Sequence, residues 1–492
     1  MSVARDLAWR QLALEQPATI AHQIARYALS LDYGSLPEDV LHQVRRCVLD
    51  AVGCAIGAYD APGRKLMDAA LRELGGREEA TLFCSGERVG VLHAALQNSF
   101  LVRFLDYNDL GGGGHNSDGL PSLLAVAERE RRNGAAFATA VVASYEIGAR
   151  FRDAVSNLPR SEECTVPLHQ AARVAPGGKP FTSLEDKGWG SDLRGGLNQP
   201  PALGLLMGLE EGQIAHAIGL CLTHSLPLGV LDGHRDECTM GKNIRFGWVA
   251  HDAIIACTLA RHGFTGPLRA VEAEQGLVAA VARGEMELAR LVDFSGWRIR
   301  DVRFKAFPTN GPTASHVSAT LELVKRENLV PDDIASLVVR CSMRESVHTT
   351  SPPKKYPRNG ESADHSLFYA NAYAIKERRF GPQAITDPAC FTDPTILSLI
   401  ERIRVEGDPA LSQYEAISRI VTRDGRLFEM KVDAPKGLGE HALTDAELEA
   451  KFNEMVEPRM SREAARRLAE LCWGVDRLDD IGTLMRATRV DQ

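Results

Sequence analysis

The feature that most constrains the fold is a series of helical segments that occupies the first half of the chain. After Pro37, a residue suited to the first turn of a helix, Leu41 and Val48 follow the helical period. The same spacing recurs in further segments at 93–105, 120–134, 136–151, 211–222 and 248–263. The last of these ends on Gly263, the expected position for a C-terminal glycine. Ala, Gly and Ser are frequent in these segments, so their backbones can pack closely, and we predict a large helical core.

The pattern changes after the GFTGP stretch at 263–267. Residues 297–307 and 335–342 are predicted to be strands, and 416–432 is predicted to be a hairpin that turns at Asp424 and Gly425. A helix is predicted between strands at 313–328. The end of the chain returns to a helical pattern, in which Thr444 and Glu447 form a capping box.

These patterns predict a mainly α fold with an inserted α+β domain. The expected limits are 1–269 for the first part of the helical domain, 270–437 for the α+β domain and 438–492 for the C-terminal part of the helical domain. A cleft between two such domains is a usual place for a ligand site.

Composition excludes several classes of protein. The formal net charge is −8 with no block of like charge, which argues against nucleic acid or an anionic membrane as a partner. An anionic substrate would need a local positive pocket. The ten cysteines form no C-x-x-C pair, and no apolar run approaches the ~18 residues of a membrane span. The N-terminal MSVARDLAWRQ also lacks the apolar stretch of a signal peptide, so we expect a cytoplasmic protein.

The stretch FLDYNDLGGGGHNSDGL at 104–120 concentrates polar side chains around four glycines. Asp106, Asn108, Asp109, His115 and Asp118 lie within it. One interpretation is a surface loop, since these residue types are the usual loop formers. The other is a mobile active-site segment whose glycines let His115 approach a substrate. No Lys-Ser or Lys-Thr follows the glycines, which excludes a P-loop, and we expect no metal site.

Two further stretches carry cations at the start of helical patterns. In CTMGKNIRFGW (238–248), Lys242 and Arg245 are three apart, which would place both on one face near a helix N-terminus that favours anions. In FKAFPTNGPTASH (304–316), Lys305 is predicted to end a strand, and Asn310 offers a donor at the start of the next helix. Each stretch also has a simpler explanation, in solvated charges or in a polar loop.

The stretch ESADHSLFYANAYAI (361–375) is the last candidate. His365 and Tyr369 are four apart, which predicts that they share one helical face, and Asp364 is adjacent. A buried, hydrogen-bonded histidine or a packing tyrosine would explain them equally well.

Taken in order, these stretches resemble the MmgE/PrpD family. The resemblance rests on FLDYND and HNSDGLPSLLAVAE, followed by ASYEIGAR, DKGWGSD, TMGKNIRFG, ARHGFTGP, FKAFPTNG and ADHSLFY, and it covers almost the whole chain. The resemblance implies an all-α domain with an α+β lid, a homodimer, and cofactor-free lyase or isomerase chemistry on small di- or tricarboxylates. It also implies that Asp106, His115, Lys242 and Tyr369 are the catalytic residues.

The same resemblance leads us to expect a basic cleft that binds the carboxylates. We expect Lys242 and Arg245 to bind them with help from Lys305, and His115 to be the general acid or base. The other expected substrate-binding residues are Ser117, Asn310 and His365. The chain departs from the family pattern at Leu110, where Thr is common, at Arg245, where His is common, and at 190–192, where a His often occurs.

The first expectation for the reaction is a hydro-lyase similar to 2-methylcitrate dehydratase. Decarboxylation of the cis-aconitate type and epimerisation of a related polycarboxylate draw on the same Lys, Arg, His, Asp and Tyr side chains, so both stay open. A non-catalytic carboxylate-binding relative is a further alternative.

Overall fold

The structure, a computed structural model, is mainly helical with a small mixed sheet in its C-terminal part. It describes residues 18–111, 114–156, 173–174, 180–181, 184–185, 187–233 and 236–491. The helices before residue 300 are α1 (Ile20–Ser30), α2 (Glu38–Gly57), α3 (Pro62–Leu74), α4 (Val91–Phe104), α5 (Leu120–Arg129), α6 (Gly134–Val155), α7 (Gly195–Met207), α8 (Glu211–His224), α9 (Arg245–Arg261) and α10 (Leu288–Leu291).

Short strand pairs and the remaining helices complete the chain. The strands are β1 (Ala80–Thr81), β2 (Arg88–Val89), β3 (Arg173–Val174), β4 (Pro180–Phe181), β5 (Ile334–Cys341), β6 (Ile403–Gly407), β7 (Ala416–Thr422) and β8 (Leu427–Val432). The later helices are α11 (Gly311–Arg326), α12 (Met343–His348), α13 (Pro352–Lys355), α14 (Gly360–Ala363), α15 (Leu367–Glu377), α16 (Gln383–Thr386), α17 (Pro394–Ile400), α18 (Asp445–Val456), α19 (Arg462–Trp473) and α20 (Gly482–Ala487).

The first hydrophobic core joins the N-terminal helices to those at the end of the chain. Leu448, Phe452 and Met455 of α18 belong to the same core as the residues of α2 and α4. Helices come close where a glycine faces a neighbour. A Cβ on Gly148 of α6 would lie 2.8 Å from the amide side chains of Asn116 and Asn198, so only hydrogen fits there.

The second core lies between Phe307 and Met430, and we call this part the lid region. Its sheet has the order β6-β5-β7-β8, in which β5 is parallel to β6 and β7 is antiparallel to both β5 and β8. The predicted strand at 335–342, the helix at 313–328 and the hairpin at 416–432 are confirmed, and Gly425 in the turn has φ +86°. The capping box of Thr444 and Glu447 is confirmed at the start of α18.

The predicted strand at 297–307 is wrong. Arg298–Asp301 forms a 3-10 turn whose first amides, of Arg298 and Ile299, donate to the Glu146 carboxylate. Ile299, Val302 and Phe304 are buried in the first core. Among the described residues, the β-type pairing of this stretch is an isolated bridge between Arg303 and Leu110 and not a strand of a sheet. Residues 270–304 contribute to that first core, while the predicted domain limits at 269 and 437 stay predictions.

Within the described ranges, no helix combines the length and the apolar character needed to cross a membrane.

Candidate active site

The loop after α4 brings Asp106 into a strained conformation. Its φ is +45°, in the left-handed region that residues other than glycine rarely adopt. The amide of Asp106 donates to the Arg103 carbonyl at 3.0 Å, which turns the chain sharply at the end of the helix. Strain of this kind costs on the order of 1–3 kcal/mol and is concentrated at functional sites.

Cationic and imidazole groups surround the Asp106 carboxylate. Arg103 Nη1 donates to Oδ1 at 2.6 Å, and Lys305 Nζ donates to the same oxygen. Burial opposes ionisation of Asp106, yet Arg103, Lys305 and Lys242 together hold its pKa well below the usual range. We define the central cluster as this carboxylate and the groups around it, namely Arg103, Asp106, His115, Lys242, Lys305, Asp364 and His365.

Lys305 connects the loop of Asp106 to the start of the lid region through hydrogen bonds. Besides the carboxylate, its ammonium donates to the Asp106 carbonyl at 2.9 Å and to the Thr309 carbonyl at 3.0 Å. Burial lowers the pKa of Lys305 to about 8, although Asp106 opposes this. The sequence pattern predicts that Lys305 ends a strand, and this prediction is wrong, because the residue lies in an irregular segment.

Lys242 joins the helical part of the protein to the lid region. Its ammonium donates to the Asp364 carboxylate and lies 3.3 Å from His365 Nδ1 and 3.6 Å from Asp106 Oδ2. The Asp364 carbonyl accepts from the Asn310 amide at 3.0 Å. Burial raises the pKa of Asp364 to about 7 even though Lys242 opposes this. This carboxyl group therefore exchanges protons near neutral pH.

His115 is held with one ring nitrogen bonded and the other directed at Asp106. Nδ1 lies 2.6 Å from the Asp109 carbonyl, and Nε2 lies 3.5 Å from Asp106 Oδ1. A carbonyl only accepts, so Nδ1 carries the proton. Burial, followed by the charges of Arg103 and Lys305, lowers the pKa of His115 well below its ordinary value. The imidazole is therefore neutral, with the lone pair on Nε2.

Asp109 anchors the backbone that supports His115. Its carboxylate accepts from Ser117 Oγ at 2.5 Å and from the Tyr145 hydroxyl at 2.8 Å. Asn108 Nδ2 donates to Ser117 Oγ and to Asp118 Oδ1, both at 2.8 Å. Burial raises the pKa of Asp109 to about 6. In this conformation the Ser117 hydroxyl hydrogen-bonds to Asp109 and Asn108 of the same loop. Its expected role in substrate binding stays a prediction.

A buried arginine secures the other side of the His115 loop. Arg194 donates to the His115 carbonyl at 3.0 Å and to Asn116 Oδ1 at 3.1 Å, and its guanidinium lies 4.8 Å from the centre of the Phe246 ring. Its Nη1 lies 3.2 Å from Asp192, which also forms an ion pair with Arg245. Lys242 precedes α9 in a 3-10 turn and Arg245 begins that helix, so the two cations contact different aspartates.

The two described residues of the glycine run, Gly111 and Gly114, pair through their backbones. The amides and carbonyls of Gly111 and Gly114 bond to each other at 3.2 and 3.3 Å, and both residues have positive φ. A Cβ on Gly114 would lie 3.3 Å from the guanidinium of Arg194, so glycine permits this close approach. Gly112 and Gly113, for which a swinging role was predicted, lie outside the described residues.

The predicted pairing of His365 and Tyr369 on one helical face is wrong. Ser366 caps α15, which starts at Leu367, so His365 lies before the helix. Tyr369 lies in the second core, where its hydroxyl donates to the Ala384 carbonyl at 2.7 Å and its ring packs against Phe391. The structure thus brings His365 into the central cluster and directs the Tyr369 phenol into the lid region. Asn310 caps α11 through a 2.8 Å bond from the Thr313 amide.

Sequence reasoning missed several residues of the site. Arg103 lies in a segment whose pattern is that of an apolar helix, which hides its role. Its spacing of three from Asp106 would have indicated an ion pair between the two side chains. Arg194 and Tyr145 carry no local signal, because their partners lie 79 and 36 positions away. Asp364 was noted only as a neighbour of His365, although it pairs with Lys242 across 122 positions.

The site is buried and rich in positive charge. Asp106, Lys242, Lys305 and Asp364 are at most 1% exposed, so their interactions are stronger than in water. Cationic side chains face carboxyl groups throughout this site. The cations are those of Arg103, Lys242, Lys305, Arg194 and Arg245, and the carboxyl groups are those of Asp106, Asp192, Asp118 and Asp364.

Positive charge exceeds negative charge in this region near neutral pH. Burial raises the pKa of Asp118 to about 7, as it does for Asp364, so these two carboxyl groups are only partly ionised. His115 is neutral and adds no charge. The excess favours an anionic ligand, although the whole chain carries a net charge of −8.

Asp106, Asp364 and His365 have ligand atoms within 4.8 Å of one another, a spacing compatible with a metal ion. The ammonium of Lys242 already lies among these atoms, at hydrogen-bonding or ion-pair distance from each residue. A metal ion would have to share a buried space with this cation, so the set fits a lysine better than a metal.

Two domain models of one protein family match most of the chain. The model of the MmgE/PrpD N-terminal domain matches residues 22–177 and 181–289, and that of the MmgE/PrpD C-terminal domain matches residues 307–475. An alkylcitrate dehydratase, phiI, from a fungal species is 24% identical over 475 residues, covering 88% of this chain and 86% of the relative.

Two other relatives span comparable lengths. Cis-aconitate decarboxylase from Homo sapiens is 21% identical over 485 residues, covering 95% of this chain and 94% of the relative. The mitochondrial 2-methylcitrate dehydratase of Yarrowia lipolytica is 23% identical over 430 residues, covering 82% and 78%. By their names, all three relatives are lyases.

Proposed function

The chain belongs to the MmgE/PrpD family, and we propose that this lyase is a hydro-lyase that removes water from a small hydroxy di- or tricarboxylate of the 2-methylcitrate type. The proposal needs no cofactor, because proton transfer and charge neutralisation are within reach of the central cluster. Its single strongest support is the neutral state of His115, whose Nε2 lone pair is directed into a positively charged, buried site.

The substrate class follows from charge. A buried site with more cationic groups than ionised carboxylates gains most by binding an anion with several carboxylates. In the closed conformation Asp106, Asp192 and Asp364 pair with these cations. Once the lid region opens, substrate carboxylates replace part of this pairing, and Lys242 and Arg245 are the cations that we assign to them.

The base in the proposed dehydration is His115. Removing a proton from the carbon next to a carboxylate requires an acceptor that carries a free lone pair before turnover. Nε2 of His115 meets this condition. After it takes the proton, the imidazolium lies beside the Asp106 carboxylate, 3.5 Å away. Asp106 therefore stabilises the charge that develops on the base.

The acid is Asp364. The departing hydroxyl leaves as water only if it receives a proton, and a carboxyl group with a pKa of about 7 is partly protonated at neutral pH. Lys242 beside it offsets the enolate-like charge that develops on the substrate, an effect worth a few kcal/mol when water is excluded.

Decarboxylation is the second candidate, because three of the relatives that match this chain are cis-aconitate decarboxylases. It requires an acid that delivers a proton to carbon, a role open to Asp364, but it has no step that uses the neutral His115 as a base. Epimerisation would need proton-transfer groups on opposite faces of the substrate. The neutral histidine thus favours dehydration.

The test is incubation of the purified protein with 2-methylcitrate, citrate, cis-aconitate and related hydroxy and unsaturated polycarboxylates in deuterated water, followed by mass spectrometry. We expect loss of water from a hydroxy acid, at a rate that falls about a hundredfold or more in H115Q and in D364N. The matched control is H93Q. His93 is a buried histidine in the first turn of α4, and its ring hydrogen-bonds to Gln97. It lies about 15 Å along the helix axis from Arg103, which is in the last turn. Loss of carbon dioxide, deuterium uptake alone, or loss of activity in H93Q to the same extent would each refute the proposal.

We also propose that the protein acts as a homodimer through the outer face of α9. Trp248, Ile255 and Leu259 are 52%, 38% and 39% exposed and recur on one face of this helix. An exposed apolar stripe of this kind favours association with a second copy of the chain. Sedimentation should give a dimer for the wild type and a monomer for W248E, and a monomeric wild type would refute this assignment.

A further inference from the structure

The buried network behind His115 has a geometry that controls the chemistry of its ring. The Asp109 carbonyl is the acceptor for His115 Nδ1, and the Asp109 side chain is the centre of a separate set of hydrogen bonds. The same residue therefore binds the ring with its main chain and the protein interior with its side chain.

Three bonds immobilise the Asp109 side chain. Ser117 donates to Oδ1 from its hydroxyl at 2.5 Å and from its amide at 3.3 Å, and the Tyr145 hydroxyl donates to Oδ2 at 2.8 Å. Tyr145 lies in the middle of α6, which is buried in the first core, and both Asp109 and Tyr145 are at most 1% exposed. A rigid helix thus holds the residue whose carbonyl faces the histidine.

The main chain that follows Asp109 is also held. Leu110 and Arg303 exchange two backbone hydrogen bonds of 2.7 and 2.8 Å, and Arg194 holds the His115 carbonyl at 3.0 Å. The Asp109 carbonyl therefore has one orientation, toward His115 Nδ1, and the ring cannot turn to present Nδ1 to the substrate without losing a buried hydrogen bond.

We propose that Asp109 and Tyr145 are positioning residues that select the tautomer of His115 with the proton on Nδ1 and the lone pair on Nε2. The nitrogen that is free to act is set by the bond that the other nitrogen makes. In the opposite tautomer the proton would sit on Nε2, and the ring could not accept a proton from carbon at that position.

This inference rests on the proposed dehydration, for which it completes the proton path. The substrate C–H proton moves to Nε2, the electron pair of that bond forms the carbon–carbon double bond, and the C–O bond breaks as the hydroxyl leaves with a proton from Asp364. Nδ1–H keeps its bond to the Asp109 carbonyl throughout, so the imidazolium forms without a change in ring orientation.

The test combines kinetics with nitrogen NMR of protein labelled in its histidines. The resonance of His115 is assigned by its absence from H115Q, and the chemical shifts of the two ring nitrogens report which one carries the proton. The variants are Y145F, which removes one donor, and D109A, which removes all three bonds. The matched control is Y33F, because the Tyr33 hydroxyl donates to Asp476 at 2.9 Å in the same chemical arrangement outside the central cluster.

We expect wild type and Y33F to show the proton on Nδ1. Y145F and D109A should show a mixture of tautomers and a fall in kcat of about tenfold or more, with KM changed less than about twofold. If D109A does not fold, Y145F and S117A decide the question.

Unchanged tautomer and unchanged kcat in Y145F and S117A would overturn the proposal. A fall in kcat with an unchanged tautomer would overturn it too, since the network would then act on something other than the ring. The NMR measurement needs no turnover, so a wild-type protein that dehydrates nothing would refute the proposed function and still leave the tautomer assignment testable.

Discussion

Replacing Asp364 with Asn should stabilise the protein at alkaline pH while reducing its activity. Asp364 lies at the junction of the helical part and the lid region, where Lys242 donates to one of its oxygens and His365 Nδ1 lies 2.5 Å from the other. Asn has the same shape and keeps one oxygen acceptor for Lys242, but it cannot ionise or deliver a proton.

The size of the effect follows from the pKa of the group. Burial raises the pKa of Asp364 from 3.8 to about 7, and each unit corresponds to about 1.4 kcal/mol. Ionised Asp364 therefore costs the folded protein about 4 kcal/mol relative to the unfolded chain. Allowing about 1 kcal/mol for the imperfect fit of an amide, we expect D364N to have a free energy of unfolding about 2–3 kcal/mol higher at pH 8.

The sign depends on pH in a defined way. The folded protein binds the proton of Asp364 more tightly than the unfolded chain, so the wild type loses stability as the pH rises from about 4 through 7. The Asn variant lacks this loss. Its advantage should therefore grow by about 2–3 kcal/mol between pH 5 and pH 8 and stay constant at higher pH.

The assay is equilibrium urea denaturation at pH 5 and pH 8, with kcat measured on the same samples. We expect kcat to fall about a hundredfold or more, since Asp364 is the proposed acid. The matched control is D476N, because hydrogen bonds from Arg45 and Tyr33 outweigh burial and lower the pKa of Asp476. That variant should lose about 3–5 kcal/mol at pH 8 and less at low pH.

One result would refute the reasoning directly. If D364N is destabilised by 3 kcal/mol or more at pH 8, roughly the cost of breaking a favourable buried ion pair, then Lys242 stabilises ionised Asp364 more than burial opposes it. The carboxyl group would then be fully ionised at neutral pH and could not be the acid.

Three further changes test other parts of the site. The kcat/KM of the wild type should fall as the pH rises through about 7, where Asp364 loses its proton, and initial rates between pH 6 and 9 for wild type and D364N should show that only the wild type has this limb. K305M leaves the carboxylate and carbonyl of Asp106 without their ammonium donor, so urea denaturation should show a loss of about 3–5 kcal/mol, with a smaller loss in K305R. G114A forces a side chain onto a residue with φ +128° and should lower kcat and the melting temperature. G212A, at a helical glycine with open space around it, should leave kcat unchanged and keep or raise the melting temperature; equal losses in the two variants would contradict this account.

Most members of the central cluster were predictable because they stand at helix ends and in loops. Asp106, His115, Lys242, Lys305 and His365 are polar residues beside apolar helical runs, where folding alone does not require them. Local pattern also predicted the helices of the first core and the strands of the lid hairpin, because apolar periodicity reflects which face is buried. The same rule failed at 297–307, where the buried apolar residues belong to the helical first core and not to a sheet.

The local sequence pattern therefore determined most of the helices and strands and the side chains that are available for catalysis. Only the tertiary structure decided which charges meet, since Lys242 and Asp364 are 122 positions apart and Arg194 reaches the His115 loop from 79 positions away. It also decided the protonation states, because a pKa depends on burial and on neighbours in space. The elevated pKa of Asp364 arises where segments 122 positions apart meet and exclude water, whereas the proton on His115 Nδ1 is set by a carbonyl six positions away whose tertiary surroundings hold it in place.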